Sequence, residues 1–176
     1  MKAAKSDGFA LIDLIFTIGL MVLIASLSLP SLLLARQSAG SASAIGSMRA
    51  ISSAQLSFAL TCGSGFYAPT LLDLGTAPPS STSAFISPSL GSAVQTVQGG
   101  YMIRMEATPF APAPPSCNGL ALGEAGRAFK AGADPVEPTV TRFFATNANG
   151  QIYEDTASLY AGMPEAGVPA AGHILQ

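Results

Sequence analysis

Charge is what this sequence has least of. Asp, Glu, Lys and Arg make up 10% of its 176 residues, against roughly 25% in ordinary soluble domains. With a net charge of −2, no basic field exists to hold nucleic acid, and no nucleic-acid partner is expected. Histidine occurs once, as His173, so a histidine-based metal cluster or catalytic triad is hard to assemble. No glycine-rich phosphate loop is present. Catalysis is therefore not expected, nor is a cofactor. Proline is missing from one region: of thirteen prolines, only Pro30 precedes residue 60. The first third has the makeup of a continuous helix, and the rest reads as a turn-rich module of short strands. The length fits one domain plus appendages.

Cysteine is nearly absent too, with Cys62 and Cys117 the complete thiol inventory. If the residues past the apolar run are exported, these two can pair, because exported compartments are oxidising. Closing a loop of about 55 residues would stabilise the fold by roughly 4 kcal/mol on the chain-entropy argument. Two unpaired buried thiols are the alternative.

What the chain has in abundance is apolar surface: 49% of its residues are hydrophobic. The stretch "KSDGFALIDLIFTIGLMVLIASLSLP" concentrates it. No charged residue occurs from Leu14 through Ala35, a run long enough at about 1.5 Å per residue to cross roughly 30 Å of hydrocarbon. Its large side chains, at roughly 0.3–0.6 kcal/mol each, favour insertion by several kcal/mol. Lys2 and Lys5 precede the run and keep the N-terminus cytoplasmic, which puts the rest of the chain outside. A cleaved secretory signal fits poorly. Its apolar region is shorter, and the A-x-A-like Ala42-Ser43-Ala44 lies well past the end of this run. A plain single-pass anchor fits the length but explains neither Gly8-Phe9 nor Asp13. A carboxylate at the edge of a span calls for a partner.

The stretch "GFALIDLIFTIGLMVLIASLSLP" resembles the N-terminus of type IV pilins and of the related pseudopilins of type II secretion systems. That family has a short basic leader ending in Gly, then Phe, three mostly apolar residues, an acidic residue and a long apolar helix. The resemblance implies a leader at Met1 to Gly8, with cleavage between Gly8 and Phe9 on the cytoplasmic side. The same peptidase/methyltransferase would then N-methylate Phe9. A glycine lets the peptidase approach the backbone closely, because no Cβ intervenes. Pro30 falls where many type IV pilins carry a helix-kinking proline. Two departures stand out: Asp13 replaces the usual Glu and is one methylene shorter, and Ala10 follows Phe9 where Thr is commoner. The resemblance in motif covers roughly the first 30 residues.

Cleavage gives the opening stretch its chemical sense. It would place a new α-amino group on Phe9 at the edge of the apolar phase. A buried ammonium and a buried carboxylate are each costly alone, and pairing offsets much of that cost. The family's model has the Asp13 carboxylate attract the mature N-terminus of a neighbouring subunit, setting the register between otherwise slippery apolar helices. Pro30 would bend or locally open the helix near Ser26 to Ser31, with Ser26 and Ser28 supplying hydroxyls to the freed carbonyls.

Beyond Arg36 a stripe of Ile45, Met48, Leu56 and Ala59, with Leu60 nearby, falls on one helical face and is expected to pack on a sheet. Gly40, Gly46 and six serines from Ser38 to Ser53 weaken this half of the helix but permit close contact. The helix is expected to end near Leu60, with "TCGSG" as its stop. "GGYMIRMEA" alternates as a strand, and "TVTRFFATNANGQIYED" reads as a hairpin about an Asn149-Gly150 turn. "TAPPSSTSAFISPSLGS" reads as an irregular surface loop, and residues from Ala161 have no periodicity.

The expected fold is α+β: a long N-terminal α-helix, transmembrane in its first half, packed on a small three- or four-stranded antiparallel β-sheet head. The divisions are a leader (1–8), an assembly helix (9–35), an amphipathic half (36–60), a β-rich head (61–160) and a flexible tail (161–176). Asn147 and Asn149 only faintly resemble a calcium loop, since Ala145 and Thr156 stand where ligands are needed. Related major pseudopilins bind calcium, and Asp134, Glu137, Glu154 or Asp155 could contribute here, but solvated surface carboxylates are the commoner case. The resemblance implies a filament subunit held first in the bacterial inner membrane with its head in the periplasm, and later in a periplasmic or extracellular filament. Its partners would be further copies of itself, membrane lipid, the peptidase and an inner-membrane assembly machinery. A secretion pseudopilin is the alternative. An uncleaved single-pass protein with an exported binding head is another.

Overall fold

The computed structural model describes residues 7–175, and side chains throughout that span except at 7–10 and 27–30. The leader expected at Met1–Gly8 lies outside the described residues apart from the backbone of Asp7 and Gly8. So do the side chains of Phe9, Ser28 and Pro30. The chain divides into two units at Ser38/Ala39, and helix α1 (Asp7–Thr61) contributes to both.

In the first unit the absence of helix breakers decides the structure. Between Phe9 and Ser38 only Gly19 and Pro30 disfavour a helix, and the chain is helical throughout. The backbone passes Pro30 without interruption, so the local opening expected between Ser26 and Ser31 is not seen. A single proline removes one hydrogen bond, and the turns on either side still hold.

The second unit begins at Ala39. Ser41, Ala44, Met48, Ile51, Gln55 and Phe58 are its buried stripe along α1, a spacing of three and four that keeps one face inward. This differs from the expected stripe. Met48 and Ala59 are buried, but Leu56 and Leu60 are 55% and 75% exposed. The first turns of the inward face carry small residues, Ser41, Ala44 and Ser47, and the later ones the large apolar Met48, Ile51 and Phe58. After Thr61 the chain stops as expected. The Cys62 and Gly63 amides both donate to the Phe58 carbonyl at 2.8 and 2.7 Å, and Ser64 and Gly65 take positive φ of 52° and 91°.

Two short helices follow. In α2 (Leu71–Gly75), Thr70 and Asp73 cap each other reciprocally. In α3 (Pro88–Gly91), Leu90 is buried, so the expected surface loop contains an anchored turn of helix. The sheet is a six-stranded antiparallel meander in chain order: β1 (Gln95–Gln98), β2 (Tyr101–Glu106), β3 (Lys130–Pro135), β4 (Phe143–Asn147), β5 (Ile152–Asp155) and β6 (His173–Ile174). It is larger than the three or four strands expected.

Two turns fix the register. Between β1 and β2, Gly99 and Gly100 have φ of 60° and 82° and close a two-residue loop, since Gln98 pairs with Tyr101. A Cβ on Gly40 would lie 2.6 Å from the Gly99 carbonyl oxygen, so the hairpin tip rests on α1 at a glycine. The hairpin expected at Asn149-Gly150 forms β4 and β5. Only Gly150 takes positive φ (75°), and its amide donates to the Asn147 carbonyl at 2.9 Å. The loop is thus a type I turn followed by a left-handed residue.

Alternation along β2 sends Tyr101, Ile103 and Met105 into the core and Met102, Arg104 and Glu106 to the other face. The core face meets α1 through Met48, Ile51 and Phe58, together with Ala131, Ala133 and Phe144. The other face is covered as well. Residues 156–172 lie across it, with Leu159 and Met163 forming a small cluster on Ala145 and Tyr153. The stretch expected to be a flexible tail is therefore tied in. Asn147 Nδ2 donates to the Pro164 and Gly167 carbonyls at 3.0 and 2.8 Å, Glu165 accepts from the Thr108 amide at 2.7 Å, and β6 pairs with β5.

Candidate functional site

The first unit offers a surface rather than a pocket. Its described side chains from Leu11 to Ser26 and from Ser31 to Ser38 are all exposed. The most apolar 18-residue window of α1 has a mean hydropathy of 2.3, and none of it is buried. One helix near the N-terminus is thus long and apolar enough to span a membrane. Polar groups within it are mostly silenced. Thr17 Oγ1 donates to the Leu14 carbonyl at 2.9 Å, and Ser26 Oγ to the Leu23 carbonyl at 2.8 Å. Such bonds back onto the preceding turn leave little unmet polarity. Ser26 therefore serves the turn before it, not the carbonyl that Pro30 frees.

Asp13 is the exception. It is exposed and takes part in none of the ion pairs among the described residues, which are Arg104–Asp134, Lys130–Glu106 and Arg142–Glu154. It lies one helical turn beyond Phe9 along the backbone of α1. From Leu14 to Ala35 the helix carries no cation. When this helix is surrounded by apolar groups, the Asp13 carboxylate loses water and needs a positive charge supplied from elsewhere.

The charges of the second unit are largely engaged with one another. Arg104 pairs with Asp134, which also accepts from Ser158 Oγ at 2.9 Å. The Arg104 guanidinium and the Lys130 ammonium lie 4.4 and 5.1 Å from the Tyr160 ring centroid. Hydrogen bonding by Lys130 holds the Glu106 carboxyl below its ordinary value. Burial, then the Glu106 carboxylate, push the Tyr160 phenol up. The group pins the covering segment to the sheet. Arg142 grips Glu154 with two bonds, at 2.5 and 2.9 Å, and lowers its pKa.

The residues considered for calcium do not converge. Asp134 and Glu154 are held by arginines, Asp155 accepts from the Thr156 amide at 2.6 Å, and Glu137 is exposed. Among the described residues no group of three His, Cys, Asp or Glu side chains could hold a metal. His173 is exposed on β6 opposite Glu154. A cleft of about 300 Å³ lies between α1 and the β4–β5 turn, lined by Ser53, Leu56, Tyr67, Phe129 and Asn149 among others.

Cys62 and Cys117 are disulfide-bonded, as the exported reading expected. The Cys117 amide also donates to the Cys62 carbonyl at 3.2 Å. The next residue, Asn118, donates to the Asp73 carbonyl at 2.7 Å. The bond thus ties the end of α1 to the proline-rich connection and to α2.

Gln55 was not singled out from the sequence. It is fully buried, donating to the Ala68 carbonyl at 2.8 Å and accepting from the Ala68 amide at 2.9 Å. Its side chain acts as a one-residue strand partner for the segment leaving α1. A lone glutamine among small residues gives no periodic signal that could have revealed it.

No protein-family model, no curated protein and no solved structure matches this chain.

Proposed function

We propose that this chain is a structural subunit of a type IV pilus-like filament. It is made as a membrane-held precursor, trimmed after Gly8 by a prepilin peptidase and polymerised through its N-terminal helix. The observation that carries this reading is the Asp13 carboxylate, one turn after the Gly8-Phe9 junction and just ahead of the uncharged run Leu14–Ala35, whose described side chains are all exposed. Apolar helix surface provides the affinity between subunits. Pairing of Asp13 with the Phe9 amine of a neighbour provides the register. The head stays in the periplasm before assembly and forms the filament exterior after it. Pro30 and the Cys62–Cys117 bond favour a pilus over a secretion pseudopilus.

Two measurements test this. Mass spectrometry of the protein from its native host should find a chain beginning at N-methylated Phe9, and one beginning at Met1 contradicts the reading. Asp13→Ala should be trimmed normally yet yield at most a tenth of the wild-type filament by sedimentation and electron microscopy, while Asp13→Glu should restore assembly. Wild-type yield from Asp13→Ala removes the register role.

A further inference from the structure

The two edges of the sheet are built differently. β6 is two residues long, and so short an edge offers little for another chain to pair with. β1 is four residues long and pairs with β2 without a bulge, from Gln95↔Arg104 to Gln98↔Tyr101. It holds neither charge nor proline, and the uncharged stretch around it runs from Leu74 to Ile103. Charges, prolines and bulges are the usual devices that stop an edge strand from pairing with another chain. β1 has none of them.

Backbone geometry decides which of its groups are free. The Gly99-Gly100 loop has two residues, so its closing pair, Gln98 and Tyr101, exchanges both hydrogen bonds. Bonded and non-bonded pairs alternate from there, and Thr96–Ile103 is the next bonded pair. Gln95 and Val97 therefore turn their amides and carbonyls away from β2. Among the described residues no backbone bond from outside the sheet reaches those groups, and both residues are exposed. Helix α3 meets β1 on the core face, where Thr96 Oγ1 donates to the Ser89 carbonyl at 3.3 Å. On the opposite face Val97 lies beside Met102 and is 60% exposed.

We infer that β1 is an interaction surface whose partner is β1 of a second copy of this chain, paired antiparallel. Centred on Thr96, the pairing sets Gln95 opposite the partner's Val97 and Val97 opposite the partner's Gln95. Every outward amide and carbonyl then finds a partner. A charged strand would meet no counter-charge between Leu74 and Ile103. The chain's own β1 is uncharged, extended and of matching length. Such a pair is isologous and closes at two copies, whereas a filament grows by heterologous contacts. Pairing at β1 thus needs neither cleavage at Gly8 nor polymerisation.

The test uses the full chain in detergent. Across a dilution series the Gln95 and Val97 amides should exchange hydrogen roughly tenfold more slowly at high protein concentration than at low. Val97→Lys changes an exposed position and brings like charges together in the pair. It should abolish that protection while keeping the wild-type melting curve. Both native cysteines are disulfide-bonded, so Thr96→Cys introduces a single free thiol. Residues directly opposed in a non-bonded pair have Cα atoms about 4.5 Å apart, a spacing that suits a disulfide. Mild oxidation of Thr96→Cys should link two copies, and adding Val97→Lys should prevent the link. Edge amides that exchange alike at every concentration overturn the pairing, as does protection that survives Val97→Lys. Protection without a cross-link from Thr96→Cys overturns self-pairing and makes another segment the occupant. None of these failures alters the N-terminal mass or the filament yield, so the filament reading stands or falls separately.

Discussion

At the scale of single residues, the most consequential side chain is one that periodicity does not reveal. Gln55 pairs with both backbone groups of Ala68 in a fully buried setting. Removing it strands an amide and a carbonyl away from water. Gln55→Leu, which keeps the volume, is expected to destabilise the protein by about 2–4 kcal/mol, read as a lowered melting temperature in detergent by circular dichroism. A smaller effect belongs to the acids. Glu106 and Glu154 have pKa values lowered from 4.5 by Lys130 and Arg142 respectively. A group depressed in the folded state contributes stability that is present above its unfolded pKa and lost as pH falls through the folded one. The melting temperature should therefore be flat from pH 7 to about 5 as far as these groups are concerned, then fall as pH drops below about 4.5. Glu154→Gln should soften that fall. Arg142 is 48% exposed, so solvent screening holds the pair to under ~1 kcal/mol. Cys62 and Cys117 were legible in the sequence because only two thiols were available, whereas the calcium-candidate acids were not. Which carboxylate meets which arginine depends on strand register, and register follows from turns that composition only hints at.

Elements were legible where one periodicity dominated. The alternation of β2, the β4–β5 hairpin and the stop after Thr61 all follow from local chemistry. The buried stripe of α1 was less so, because the exposed Leu56 and Leu60 drew the inward face towards themselves, while the buried Ser41, Ser47 and Gln55 gave no apolar signal. Two glycines on that helix separate these effects. Gly46 has nothing within 4 Å of the place its Cβ would take, so Gly46→Ala should raise stability by about 1 kcal/mol through helix propensity alone. At Gly40 the same methyl would come within 2.6 Å of a backbone carbonyl of the β1–β2 turn. Gly40→Ala is expected to lower stability by about 1–3 kcal/mol despite the same propensity gain. Parallel thermal melts of the two variants check this, and equal shifts would mean that the hairpin tip does not rest on the helix. The segment from Ala161 was illegible for a related reason. It has no pattern of its own because its contacts are made with β4, β5 and Thr108.

For the whole molecule, the sequence announced two kinds of surface, an apolar helical run uncharged from Leu14 to Ala35 and a head with little charge. The disulfide is the one covalent link across the head, closing a loop with a sequence separation of 55. Replacing both cysteines by alanine is expected to cost about 2–4 kcal/mol, measured by calorimetry of the full chain in detergent. An unchanged transition would mean that packing around α2 suffices without the bond. The α+β architecture followed from the proline distribution, while the extra strands did not, since β1 and β6 are short edges whose pairing is supplied by their neighbours. The segment that covers the sheet's second face has a temporal consequence. It is synthesised after every strand from β1 to β5, so a chain emerging into an aqueous compartment presents Ala145 and Tyr153 bare until residues 156–172 arrive. On the exported reading, closure of that face of the head would wait on the arrival of residues 156–172.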